Sequence, residues 1–231
     1  MTGGLDYERA VKIAKDHEKL QIGVHLNITW GKPNQKFDSV STLINTDRSF
    51  LNLKDFIIKY LSKKISLNEI FLEFRSQIES VIENSIYPSH LDSHQHIHLF
   101  PGIYKIVKKL SLDYNIPWVR KPFEPVNSSF HNFTKRTILS LLTLYNAPLS
   151  YKNNNFRGLG IQENSNYLDQ LLNIIKNLPS GKTELMVHPA EKDDVLKNID
   201  PFVESRFTEL NSLCNPEVIN EINSQNIVLD K

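Results

Sequence analysis

Apolar residues recur along this chain in two rhythms, one of three to four residues and one of two. The segment from Asp6 to Leu20 has the helical rhythm, with Ala10, Val11, Ile13 and Ala14 forming an apolar stripe. From Gln21 the rhythm changes. Ile22, Val24, Leu26 and Ile28 alternate with Gly23, His25, Asn27 and Thr29, the pattern of a strand with one buried face. Gly31 and Pro33 end that strand, and residues 37–53 read as a polar, irregular surface loop. Ser66-Leu67-Asn68-Glu69 opens a helix toward Ile86, with Ile70, Phe71, Phe74, Ile78 and Ile82 at helical spacing.

The second half continues the alternation. Ser89 to His98 reads as a strand, and Pro101 starts a helix through Tyr104, Ile106, Val107 and Leu110. Pro117 to Arg120 is a short strand. Thr137 to Leu144 is the most apolar run and is expected as a buried helix. Tyr167 to Leu178 is helical, and Glu184 to Val187 is a short apolar strand stopped by His188-Pro189. Strands alternating with helices argue for an α/β fold built on a mainly parallel sheet or barrel, with residues 1–231 as a single domain.

Composition narrows the function classes. A formal charge of +1 offers no whole-molecule field for nucleic acid or an anionic membrane. Cys214, the single cysteine, allows no internal disulfide and no multi-cysteine zinc site. No apolar run reaches the roughly 18 residues needed to cross a bilayer. The opening MTGGLDYERA has neither the basic nor the apolar region of a signal peptide, so a cytoplasmic location is the expectation.

Ionisable side chains concentrate at the expected C-terminal ends of strands, where α/β folds place their active sites. His25 shares a face with Asn27 and Thr29; a lone histidine there is more often a hydrogen-bonded structural residue. His90, Asp92, His94, His96 and His98 all fall on one face if their strand stays extended. Positions 90 and 98 would then lie about 26 Å apart, so one ion could take one or two ligands from this stretch. An exposed polar edge strand is the bland alternative. His188 at the rim of its strand reads equally as a capping or core histidine. A metal hydrolase needs imidazole ligands, a base for water and an acid for the leaving group. Asp92 is the acidic residue beside the first two histidine motifs.

The segments LQIGVHLNITWGKP, PSHLDSHQHIHLFP, NIPWVRKP and ELMVHPA, in that order, resemble the YdjC-like family, which includes chitooligosaccharide deacetylases. The resemblance implies a distorted (β/α) TIM-like barrel and a divalent metal ion, Mg2+ or Zn2+. It also implies removal of acetyl groups from N-acetylated oligosaccharides, and it makes a homodimer plausible. By motif position the metal ligands fall on His25 and His94. His188 falls near the reacting centre as a catalytic group together with Asp92, while His96 and His98 lie behind the ligands or face substrate. The family opens with a strand ending in an Asp-Asp pair that supplies a metal ligand and the general base. Leu5-Asp6-Tyr7 does not resemble that pair, so the barrel is expected to be incomplete at its N-terminus, by roughly 30 or more residues. A catalytically inactive sugar-binding or scaffold homologue is the alternative. A metal-dependent phosphoesterase would need a basic clamp, for which Arg120-Lys121 is the one candidate.

Overall fold

The alternation around Val24 becomes β1 (Gly23–Leu26) in the computed structural model of the chain. The structure describes residues 1–17, 19–124, 133–146, 154–162, 166–194, 197 and 202–229. β1 runs parallel to β2 (His90–Ser93), and β2 runs parallel to β3 (Trp118–Val119). The register sets Gly23 opposite His90 and His25 opposite Asp92. Helices α2 (Leu53–Leu61) and α3 (Leu67–Glu83) connect β1 to β2, and α4 (Pro101–Asp113) connects β2 to β3.

One sheet face carries Val24, Leu26, Leu91 and Val119. All four are buried in a core with Ile70, Phe74 and Ile78 of α3 and Ile103, Val107 and Leu110 of α4. Each such side chain removed from water stabilises by about 1.5–3 kcal/mol. A one-residue slip of β2 would swing Leu91 off this core, so the apolar face fixes the register that brings His25 to Asp92. Gly23 is required by the same register, because a Cβ there would run into the His90 ring.

Ser66 caps α3 by accepting the Glu69 backbone N–H at 3.3 Å. Glu69 does not return the bond. Its carboxylate instead takes the N–H and hydroxyl of Thr42, both at 2.8 Å, and the Thr42 hydroxyl oxygen accepts the Ser66 N–H at 3.0 Å. This brace corrects the expected surface loop over residues 37–53: Val40, Leu43, Phe50 and Leu51 are buried in the core, and the segment packs rather than floats. The first helix, α1 (Tyr7–Asp16), exists as expected but buries none of its residues. It is fastened instead by Tyr7, whose hydroxyl donates to the Ser80 carbonyl at 2.9 Å.

The residues divide into two compact units, Met1–Arg120 and Lys121–Asp230. In the second, β4 (Asn154–Arg157) runs parallel to β5 (Lys182–Leu185). β5 starts two residues before its expected position. The pairing still extends past it, since the Met186 N–H donates to the Arg157 carbonyl at 2.9 Å. The same unit holds α5 (Phe133–Asn146), α6 (Tyr167–Lys176), α7 (Val203–Leu213) and α8 (Pro216–Ser224). Ile161, Tyr167, Leu171, Ile175 and Val218 form one buried cluster. The apolar run in α5 is not buried as expected. Leu139 and Thr143, one turn apart, face inward, while Ile138, Leu141, Leu144 and Tyr145 are exposed.

Candidate active site

The strand expected from Ser89 to His98 ends at Ser93. His94–Leu99 instead form a kinked helical turn in which Gln95 (φ 54°) and His96 (φ 56°) are left-handed. Each non-glycine residue held there costs on the order of 1–3 kcal/mol, so the surroundings must impose it. Three features do. The Thr29 hydroxyl donates to Gln95 Oε1 at 2.9 Å, Ser93 Oγ accepts the His98 N–H at 3.0 Å, and Ile97 and Leu99 are fully buried. The five polar residues therefore do not share one extended face. His90 and Asp92 stay on the strand, His94 stands at its rim, and His96 and His98 are folded into the turn.

At the C-terminal ends of the strands, His25 Nδ1 lies 2.9 Å from Asp92 Oδ1. The other carboxylate oxygen takes a short hydrogen bond from the Arg120 guanidinium. Arg120 reaches it because its own N–H donates to the Leu91 carbonyl at 2.9 Å, continuing the β2–β3 pairing one residue past Val119. Asp92 is only 5% exposed. Burial alone would raise its pKa. The His25 hydrogen bond and the Arg120 charge outweigh that and hold the carboxyl well below the usual range. An ionised carboxylate only accepts, so the His25 proton sits on Nδ1 and its lone pair on Nε2.

The His94 ring stands 5.9 Å from that of His25, centroid to centroid, at 73°. Metal–nitrogen bonds of about 2.0–2.1 Å let two imidazoles at this separation flank one ion. A carboxylate orienting one of them from behind is the usual support of such a ligand. The pair therefore fits part of a donor set. Among the described residues, no group of three His, Cys, Asp or Glu side chains is placed to hold an ion.

His98 works from behind. Its Nε2 donates to the Arg120 carbonyl at 2.9 Å, which leaves Nδ1 to accept from the Ser93 hydroxyl at 2.5 Å. Burial lowers its pKa to about 4. It joins the end of β2 to the residue that clamps Asp92. His90 lies at the opposite end of β2, over Gly23, with Nδ1 2.9 Å from the Ser89 hydroxyl. A buried pair on α3 holds the loop after β1. Glu73 accepts the N–H groups of Asn34 (3.0 Å) and Gln35 (2.9 Å) and the Gln77 amide (2.7 Å), and Gln77 bonds both backbone groups of Asn27.

His188 belongs to the second unit. Its backbone N–H donates to Glu209 Oε2 at 2.6 Å, and its Nδ1 lies 2.8 Å from Gln162 Nε2. Burial raises the pKa of Glu209, although the His188 N–H and Arg206 pull it the other way. Sequence reasoning missed Arg120 as the partner of Asp92, and it missed Gln162 and Glu209. Arg120 carried a usable signal, a cation one residue past an apolar strand at the same sheet end as the histidines. Glu209, inside a helix, carried none.

A family profile described as YdjC-like protein matches residues 1–224. The chain belongs to the YdjC-like family. It is 29% identical over 222 residues to the carbohydrate deacetylase of Clostridium beijerinckii, covering 96% of this chain and 81% of that protein. It is 30% identical over 224 residues to the carbohydrate deacetylase of Brevibacillus brevis, with the same shares covered. A crystal structure from Enterococcus faecalis V583, of a protein named for cellobiose-phosphate cleavage, superposes with a TM-score of 0.74 at 22% identity. It covers 99% of this chain and 83% of that one, and it bears out the α/β fold of this YdjC-like chain. No helix among the described residues is long and apolar enough to cross a membrane.

Proposed function

We propose that this YdjC-like chain is a divalent-metal-dependent deacetylase acting on N-acetylated sugars of the chitooligosaccharide type. The observation that carries the reading is the His25–Asp92 bond beside His94, in a chain whose relatives are named carbohydrate deacetylases. In the reaction, a water oxygen bonds to the acetyl carbon, the carbon–nitrogen bond breaks, and the sugar nitrogen gains a proton; acetate and an amine leave. A divalent ion, when bound, supplies Lewis acidity to the acetamide carbonyl and makes the attacking water easier to deprotonate.

His25 and His94 would hold that ion. Asp92 acts through His25: accepting from Nδ1, it keeps the Nε2 lone pair available and the ring fixed. Arg120 keeps Asp92 ionised and both carboxylate oxygens occupied, which suits a positioning role better than that of a base. The same engagement withdraws Arg120 from the phosphate clamp that a phosphoesterase would need. His188 keeps the catalytic role that its motif position implies.

The test is acetate release from N-acetylglucosamine oligomers, with Mg2+, Mn2+, Co2+ and Zn2+ tried in turn. Release that disappears in His94→Ala supports the reading. Oligomer binding without release under any metal would favour the inactive sugar-binding alternative, and neither binding nor release would remove both.

A further inference from the structure

Three properties meet in Gln95. It directly follows His94, its backbone is left-handed (φ 54°, ψ 22°), and the residue is exposed. A β-carbon makes that backbone costly, whereas glycine adopts it freely. The side chain is nevertheless held, because its Oε1 accepts from the Thr29 hydroxyl at 2.9 Å. Thr29 lies on the chain leaving β1, just past His25, so the contact ties together the two segments that carry the paired imidazoles.

The anchor of this contact reaches back into the core. Glu73 accepts the Gln77 amide at 2.7 Å, and Gln77 bonds the N–H of Asn27 at 2.9 Å and its carbonyl at 2.6 Å. Asn27 Oδ1 in turn accepts the Thr29 N–H at 3.1 Å, while its Nδ2 donates to the Trp30 carbonyl at 2.6 Å. Glu73, Gln77, Asn27 and Thr29 are 0%, 2%, 4% and 6% exposed. A satisfied polar chain of this kind is rigid. It ends at an exposed amide whose backbone works against the fold, so neither packing nor conformational preference selects glutamine at position 95. The amide oxygen faces Thr29, and the two N–H donors of Nε2 sit on an exposed side chain.

We propose that Gln95 is a substrate-binding residue, donating from Nε2 to an oxygen of the N-acetylated sugar unit seated at His25 and His94. The assignment rests on the deacetylase reading for its substrate. Thr29 is then a positioning residue, holding the amide by its oxygen and leaving the donors for the sugar. Hydroxyl and acetamide oxygens both accept such donors. A side chain fixed before the ligand arrives gives up little freedom on binding. The strained backbone keeps that side chain beside His94, where a relaxed glycine would offer nothing to the sugar.

The side-chain amide pair of Gln95 is visible in nitrogen-15 proton spectra of the full chain, assigned by its absence in Gln95→Gly. With EDTA present to prevent turnover, adding a tetramer of N-acetylglucosamine should shift that pair. Gln95→Glu keeps the Thr29 bond and removes only the donors; it should weaken the tetramer about 3–10-fold, as one lost hydrogen bond does. Gln95→Gly should weaken it as much, yet melt at or above the native temperature, because the backbone is relieved. Zn2+ affinity should be native in Gln95→Gly. A Gln95 pair unmoved by the tetramer, native tetramer affinity in Gln95→Glu, or a clear fall in the melting temperature of Gln95→Gly would each overturn the assignment. A shifted pair in a chain that releases no acetate with any metal would remove the deacetylase reading and leave the sugar contact standing.

Discussion

Asp92 holds His25 across two parallel strands, 2.9 Å from Oδ1 to Nδ1, while Arg120 holds the same carboxylate from its other side. Neither partner is adjacent to Asp92 in sequence. The β1–β2 register puts His25 opposite it, and the first residue past β3 brings the guanidinium. One buried carboxylate thereby sets both the direction of an imidazole lone pair and the use of a cation.

Replacing Asp92 with Asn tests this arrangement. The amide cannot stand in as a charged acceptor for both partners, and Arg120 loses the Asp92 charge. Chemical denaturation should show a loss of about 3–5 kcal/mol, the usual cost of breaking a buried pair on one side. Calorimetric titration with Zn2+ should show affinity down about 10–100-fold. Unchanged stability and unchanged affinity together would mean that Asp92 supports neither partner.

Acid should weaken the protein in two stages. His98 titrates near 4 in the folded state against about 6.5 when unfolded. Its contribution is therefore complete above pH 6.5 and is lost as the pH falls toward 4, on the order of 3 kcal/mol. Asp92, with its folded pKa depressed, contributes above about pH 4, and that share is lost only at lower pH. Denaturation free energies measured at pH 7, 5.5 and 4 should fall steadily for the native chain. His98→Gln should flatten that slope; an equal slope in both proteins would place the titration elsewhere.

Gly23 and His90 should behave as one unit. Gly23→Ala forces a Cβ into the His90 ring and should cost about 1–3 kcal/mol. In a His90→Ala background the same change should cost much less, a coupling that a double-mutant cycle measures. Additive costs would show that the ring does not press on Gly23.

Glu73 makes a further test. It is fully buried and accepts two backbone N–H groups and the Gln77 amide. Glu73→Ala strands those donors, each at about 1–3 kcal/mol. A melting temperature within a degree of native would mean that water replaces the carboxylate.

The elements legible in the sequence are those whose apolar period survives burial. Val24 and Leu26 announce β1, and Ile70, Phe74 and Ile78 announce α3, because the side chains that repeat are those that leave water. β4 was not legible: Phe156 is its single apolar residue, and its strand character comes from pairing with β5. The turn at Gln95 and His96 was not legible either, since neither residue is a glycine and the left-handed backbone is imposed by Thr29, Ser93 and the buried Ile97. The extended reading of that motif placed five polar groups in a row where the structure separates them into layers. His25 and His94 as neighbours could be expected from motif position. Arg120 and Gln162, which contact Asp92 and His188, do so between residues 26 or more apart in sequence.

The measurement that bears most directly on the proposed site is a calorimetric titration of the native chain, His25→Ala and His94→Ala with a divalent ion. One ion per native chain, lost in each single variant, is the result expected if the two imidazoles share it. Binding that survives removal of either ring would contradict the shared site.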